Sequence, residues 1–320
     1  MHAEEIKQLI ETGLTECVAT VEGDDGVHFA AIVVSPDFVG KNRVQKQQLV
    51  YATLVIERFF HWSHLRHWRW FTKYQRWLLH TRISGWPSYL LLLVTILPPI
   101  IAVGVINLLL DNALYGVLKL IFGVIVLMYC LGPSNLWVQA YSCISELHKE
   151  DPRLAVERVR AAFGVTDVDN SQAFHQAFVR AIFLAANQRI FAVVFWFVVL
   201  GPVGAVLYRS IMLCTESPLG LAEIGTKILR ILDWLPIRIL AFIFALGGHF
   251  TRVATHFKRG LFTGVSNNNN LLVECGIASL DVVDGNKFPE DGSAERESIA
   301  LLDRVFVMWL VILAVAVLIM

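Results

Sequence analysis

Asp233 and Arg238 stand five residues apart in Ile231-Leu232-Asp233-Trp234-Leu235-Pro236-Ile237-Arg238, a stretch that is otherwise apolar. A carboxylate and a guanidinium so placed can pair with each other. They can also line a polar pocket between helices together with Asn187, Arg189, Arg209 and His249, which lie in or beside apolar runs. Charges at bilayer depth are costly and usually face the protein interior. Arginine's planar fork suits carboxylates and phosphates, so the pocket reading predicts an anionic ligand. Further upstream, His61, His64 and His67 recur every third residue and share one helix face, a weak metal-ligand pattern with Glu57 as its nearest carboxylate. An interfacial helix accounts for the same three histidines. No GxxxxGK[ST] phosphate loop occurs. No catalytic residue and no cofactor are assigned from these patterns.

The elements that must position these residues are apolar. Of 320 residues, 56% are hydrophobic and only 17% charged, with a mean hydropathy of +0.57. A soluble domain carries about 25% charged residues, so the deficit points to a membrane protein. The formal net charge is zero, which leaves no basic excess for nucleic acid. Cys17, Cys130, Cys143, Cys214 and Cys275 form no CxxC pair and are odd in number, so neither a disulfide framework nor a zinc site is expected. The acidic, amphipathic start, Met1 to Leu14, has no basic region followed by an apolar one. No cleavable signal is expected, and the N-terminal segment is expected to stay in the cytoplasm.

Residues 86–110 carry no charge for 25 residues, long enough to cross a bilayer, with Pro98-Pro99 predicted to kink the helix. Further spans are predicted at 113–131, with Lys119 snorkelling, at 190–214, interrupted by Gly201-Pro202, and at 304–320. The run 235–248 is short, and either re-enters or crosses. Residues 134–189 read as a helical loop, with Pro152 at a helix start and Ser171 as a helix cap. The fold class is therefore a mainly α-helical integral membrane protein with about four to five transmembrane helices. Trp62, Trp68, Trp70, Trp77 and Trp86 alternate with Arg58, Arg66, Arg69, Lys73, Arg76 and Arg82, the composition of an interfacial anchor. Loop 134–189 carries Lys149, Arg153, Arg158, Arg160, Arg180 and Arg189. Both basic segments are therefore expected in the cytoplasm, with the turn at 111–112 outside.

Residues 1–54 differ in character. A helix over Ala3–Leu14, strands over Cys17–Val21 and His28–Ser35, and a helix over Lys41–Leu54 make an αββα segment. Its stretches IKQLIETGL, VEGDDGVHFAAIVVSPDF and GKNRVQKQQLVYATL resemble the BolA family. The match stops near Leu54, before the strand and helix that complete that fold. The resemblance implies an iron–sulfur cluster shared with a monothiol glutaredoxin as partner, and His28 is the only residue placed to act as a ligand to it.

From Val55 onward the chain resembles the AmpE family. The residues that carry this are Ile56-Glu57-Arg58-Phe59-Phe60, NQRIFAVVFWFVVLGPVGAVLYR at 187–209 and ILDWLPIRILAFIFALGGH at 231–249. The resemblance implies a regulatory or accessory protein of the bacterial inner membrane, beside cell-wall recycling and β-lactamase induction, with no chemistry of its own. Its implied partners are recycling or signalling proteins, and its implied ligand is a cell-wall-derived or other anionic molecule. The same blocks resemble the CbiB/CobD cobinamide synthases, which form an amide with ATP and need acids for Mg²⁺ and proton transfer. The Glu, Asn and Asp of their A-E-N-x-x-D pattern fall here on Leu184, Ala185 and Gln188. A synthase would have to use relocated acids such as Glu146, Glu150, Asp151, Glu157, Asp167 or Asp169. A third reading is a membrane tether for a BolA-type partner-binding arm.

Overall fold

The computed structural model describes residues 11, 18–22, 30–34, 68–81, 85–110, 117–131, 136–147, 152–165, 170–261, 264–283 and 288–319. The chain divides into two units, Met1–His67 and Trp68–Met320. In the first, strands β1 (Val18–Glu22) and β2 (Ala30–Val34) pair antiparallel, with Val18 opposite Val34 and Glu22 opposite Ala30. Ala19 is buried, and its amide donates to the Glu11 carboxylate at 3.0 Å. Apart from Glu11, the two helices expected around this hairpin, and His28, His61, His64 and His67, lie outside the described residues.

The regular elements described in the second unit are all helical. Helix α1 (Arg69–Leu79) buries Phe71, Gln75 and Leu78 while Arg69, Lys73 and Arg76 stay exposed. Helix α2 (Ser88–Leu109) starts after Pro87 and contains Pro98 and Pro99. Proline has no N–H, so Pro98 leaves the carbonyl of Val94 without its helical donor. The Tyr74 hydroxyl of α1 donates to that carbonyl at 2.8 Å.

Helices α3 (Val117–Cys130), α4 (Leu136–Leu147) and α5 (Pro152–Phe163) follow. The cap of α6 (Ser171–Ala186) is Asn170, whose side chain accepts from the Gln172 amide at 3.1 Å. It stands one residue before the expected Ser171, because Asn170 holds the extended backbone that a cap requires. A π-turn, Asn187–Phe191, joins α6 to α7 (Ala192–Leu200) without a break.

This continuity redraws the expected boundary at residue 190. The end of the polar segment and the following apolar run are one helix of 30 residues, Ser171–Leu200. The expected single span 190–214 is divided in turn at Gly201, whose φ of +68° suits glycine. Pro202 then opens α8 (Pro202–Cys214) at its first turn. Here α8 packs along α7 so closely that a Cβ on Gly204 would lie 2.2 Å from the Trp196 carbonyl oxygen.

The remaining helices are α9 (Ala222–Leu232), α10 (Trp234–Gly247), α11 (Phe250–Gly260), α12 (Asn268–Ala278) and α13 (Ser293–Ile319). Among the described residues, Ser88–Leu109 and Ser171–Leu200 are long and apolar enough to cross a membrane. The apolar helices Leu118–Cys130, Pro202–Cys214 and Trp234–Gly247 are shorter.

Two apolar cores result. The larger holds Phe178, Ile182, Phe183, Phe244 and Trp309, from α6, α10 and α13. The smaller holds Phe71, Leu78, Leu92, Tyr208 and Ile211, from α1, α2 and α8. Helix α7 belongs to both: Val194 and Phe195 enter the larger core, Ala192 and Val193 the smaller.

Candidate functional site

Helix α9 ends at Leu232 and α10 begins at Trp234, which leaves Asp233 at the corner between them. Its side chain is buried. One carboxylate oxygen, Oδ1, accepts from the Tyr208 hydroxyl at 2.7 Å and from Asn187 Nδ2 at 3.1 Å. Tyr208 belongs to α8 in the smaller core, while Asn187 opens the π-turn that leads from the larger core. The three side chains therefore form a hydrogen-bonded join between the two cores. Trp196 adds a second link there, donating to the Leu232 carbonyl at 3.3 Å.

Asp233 lies just before the apolar helix that begins at Trp234. Burial pushes its carboxyl up to about 6, while the hydrogen bonds from Tyr208 and Asn187 pull it down. Burial disfavours the charged form of an acid, and donors to that form partly restore it.

The π-turn also separates the two polar residues of the Asn187-x-Arg189 pair. Asn187 points to Asp233, whereas Arg189 donates to Gln139 Oε1 at 2.8 Å and to the Ala162 carbonyl at 3.0 Å. Its guanidinium also lies 5.8 Å from the Phe163 ring centre. Arg189 thus holds α4 and α5 against the π-turn. Wide turns of this kind recur at functional sites.

Arg238 takes a third set of partners. Its guanidinium donates to the carbonyls of Leu261 and Trp234, each at 2.9 Å, and to Asn268 Oδ1 at 3.0 Å. It stacks 4.1 Å from the Trp234 ring centre. Asn268 in turn donates to the Arg230 carbonyl at 2.6 Å, so this group ties α9 to α10 and α12. The hydrogen bonds of Asp233 and Arg238 therefore serve different joints.

Arg209 is buried in α8, where it donates to the Met212 sulfur at 3.1 Å. Its Nε is buried with no hydrogen-bond partner among the described residues, as is Asn187 Oδ1. Arg189 and Arg209 both lie within electrostatic reach of Glu216. His249 stands apart, on the surface, bonded to Asp281, which Arg252 also approaches at 3.5 Å.

Of the six predicted residues, the structure brings Asn187 and Asp233 together. Arg189, Arg238 and His249 occupy separate places. Tyr208 was missed although it stands beside Arg209 in a matched block. Gln139, Asn268 and the buried pair His175–Glu295, 2.7 Å apart, carry no local sequence signal. Among the described residues no group of three His, Cys, Asp or Glu side chains converges as a metal site.

Polar joints facing inward between two apolar cores describe a helical protein, and two of its described helices are long and apolar enough to cross a membrane. The chain belongs to the AmpE family of regulatory signalling modulator proteins, whose family model matches residues 48–319. No curated protein and no solved structure matches it. Residues 1–47 fall outside the family match, which gives no support to the BolA likeness.

Proposed function

We propose that this chain is an inner-membrane regulatory protein acting in the signalling of cell-wall recycling and β-lactamase induction. In this reading it works by changing conformation and has no chemistry of its own. The observation that carries it is the join formed by Asn187, Tyr208 and Asp233. Residues of the family's most specific blocks bond one another where two cores meet, so a shift of one core relative to the other must break or remake those bonds. An equilibrium between two arrangements of such a joint is what a ligand or partner can bias.

Membrane placement is supported by the outward-facing apolar side chains. Leu97, Ile101 and Val105 on α2, Ile121 and Val124 on α3, and Val307 and Val311 on α13 are all exposed. Patches of this extent on a monomer mark a membrane or partner surface. We place four to five helices across the bilayer, with the N-terminal segment and the segment 134–189 in the cytoplasm. Arg209, whose Nε has no hydrogen-bond partner among the described residues, is the residue we assign to an anionic, cell-wall-derived ligand.

The test is β-lactamase activity, with and without inducer, in a strain lacking the chain and resupplied with wild type, Asn187→Ala, Arg189→Ala or Asp233→Ala. Wild type is expected to restore regulated induction. The Asn187 and Asp233 variants are expected to shift it at unchanged abundance in the membrane fraction. Identical induction in the deletion and parent strains overturns the reading.

A further inference from the structure

Between α1, α2, α3 and α8 lies a cavity of about 310 Å³. Its walls are Pro99 and Val103 of α2, Ile125 and Val126 of α3 and Val206 of α8, and Trp68 and Tyr129 close one end. All of these are apolar or aromatic. The indole N–H groups at that end are already engaged: Trp70 Nε1 donates to the Tyr129 hydroxyl at 2.6 Å, and Trp68 Nε1 to the Tyr129 carbonyl at 3.3 Å. The Trp68 ring stacks on both Trp70 and Tyr129, with centres 5.5 and 5.2 Å apart. Among the described residues the cavity therefore presents ring faces and methyl groups, and the indole N–H groups of Trp68 and Trp70 are already bonded. A polar group inside it would lose its hydrogen bonds to water without replacement. Apolar cavities of even ~150 Å³ stay dry and accept hydrocarbon, and this one reaches the lower end of ligand-pocket sizes, ~300–1,000 Å³.

Two observations say which hydrocarbon. The cavity opens beside Ala102 and Ile125 onto the exposed apolar faces of α2 and α3, the surface assigned above to lipid. Its closed end is built on α1, which shows Arg69, Lys73 and Arg76 to the outside beside the exposed Trp70 and Trp77, and contains no acidic residue. A helix with exposed tryptophans and clustered positive charge lies at the headgroup level of an anionic leaflet. We infer that the cleft between α2, α3 and α8 holds one acyl chain of an anionic membrane phospholipid, with its headgroup on the basic face of α1. This inference rests on the membrane reading, and it adds a bound lipid that orders α1.

The test uses the full chain, extracted in detergent, stripped of lipid and then exposed to vesicles of phosphatidylglycerol or of phosphatidylcholine. Native mass spectrometry counts the lipid retained. Wild type is expected to keep phosphatidylglycerol and to keep phosphatidylcholine about tenfold less well. Ala102→Phe and Ile125→Trp fill the cleft from opposite walls, and each is expected to cut retention about tenfold. Leu93→Phe, exposed on α2 but outside the cleft lining, is expected to leave it unchanged. Ile125 is more than half exposed, so its substitution tests the cleft even if the Ala102 variant fails to fold. Equal retention of the two lipids, or retention unaffected by filling the cleft, overturns the inference. Membrane reading and lipid cleft fail separately: a chain released from membranes by alkaline carbonate contradicts the first before any lipid is counted.

Discussion

The Tyr74 hydroxyl donates to the carbonyl of Val94, the acceptor that Pro98 leaves without a helical donor. A defect inside α2 is thereby repaired by a neighbouring helix, and α1 is fixed against α2 at the proline pair. An unpaired carbonyl in an apolar setting costs about 1–3 kcal/mol. Tyr74→Phe is therefore expected to lower stability by about that much, read from denaturant unfolding in detergent. Pro98→Ala returns an N–H to the Val94 carbonyl. In that background the cost of Tyr74→Phe is expected to shrink by more than half, and an unchanged cost shows that the bond is not repairing the helix.

Asp233 accepts from Tyr208, in the smaller core, and from Asn187, in the π-turn that follows α6. Truncating it strands both donors, so Asp233→Ala is expected to cost ~3 kcal/mol, against ~1–2 for Tyr208→Phe. Because the two share one interaction, the double variant is expected to fall short of the sum by ~1 kcal/mol or more. Strict additivity in a double-mutant cycle would separate the two residues energetically.

The raised carboxyl of Asp233 makes stability pH-dependent. Its folded value of about 6 exceeds the unfolded value, so the folded protein binds the proton more tightly. The contribution is fully present below the unfolded value of ~3.9 and is lost as pH rises through about 6. A difference of about two pH units corresponds to roughly 3 kcal/mol at most. Unfolding midpoints compared at pH 5 and pH 7.5 are expected to favour pH 5. Asp233→Asn is expected to flatten the difference, and an equal slope in that variant assigns the effect to another group.

Gly204 allows the close packing of α7 and α8. A Cβ there would lie 2.2 Å from the Trp196 carbonyl oxygen and 2.7 Å from the Leu200 Cβ, both of them rigid neighbours. Gly204→Ala is expected to cost ~3 kcal/mol or more, since overfilled contacts between fixed atoms relax poorly. The measurement is the yield of monodisperse protein after detergent extraction. Wild-type yield would show that the two helices separate freely.

How much of this was legible in the sequence depends on which residue types encode it. The uncharged stretch around α2 is plain, because hydropathy and length alone define it. Gly201-Pro202 announces an interruption, but the close packing of α7 on α8 depends on the missing side chain at Gly204. The π-turn at Asn187–Phe191 has no residue code, since it reflects where Asn187 and Arg189 find partners. Spacing misled in one instance. Five helical residues rotate a side chain by roughly 140° from its starting direction, so Asp233 and Arg238 face different neighbours across the α9–α10 corner. Tyr208 was in view, within GPVGAVLYR, but a phenol in an apolar run reads as core until a buried carboxylate is found beside it.

Helix α7 serves as a party wall. Ala192 and Val193 line one room, Val194 and Phe195 the other, on consecutive positions of the same helix. No twist of that helix improves the fit on one side without spoiling it on the other. Emptying one room therefore disturbs the other, and the 68–320 unit is expected to melt cooperatively.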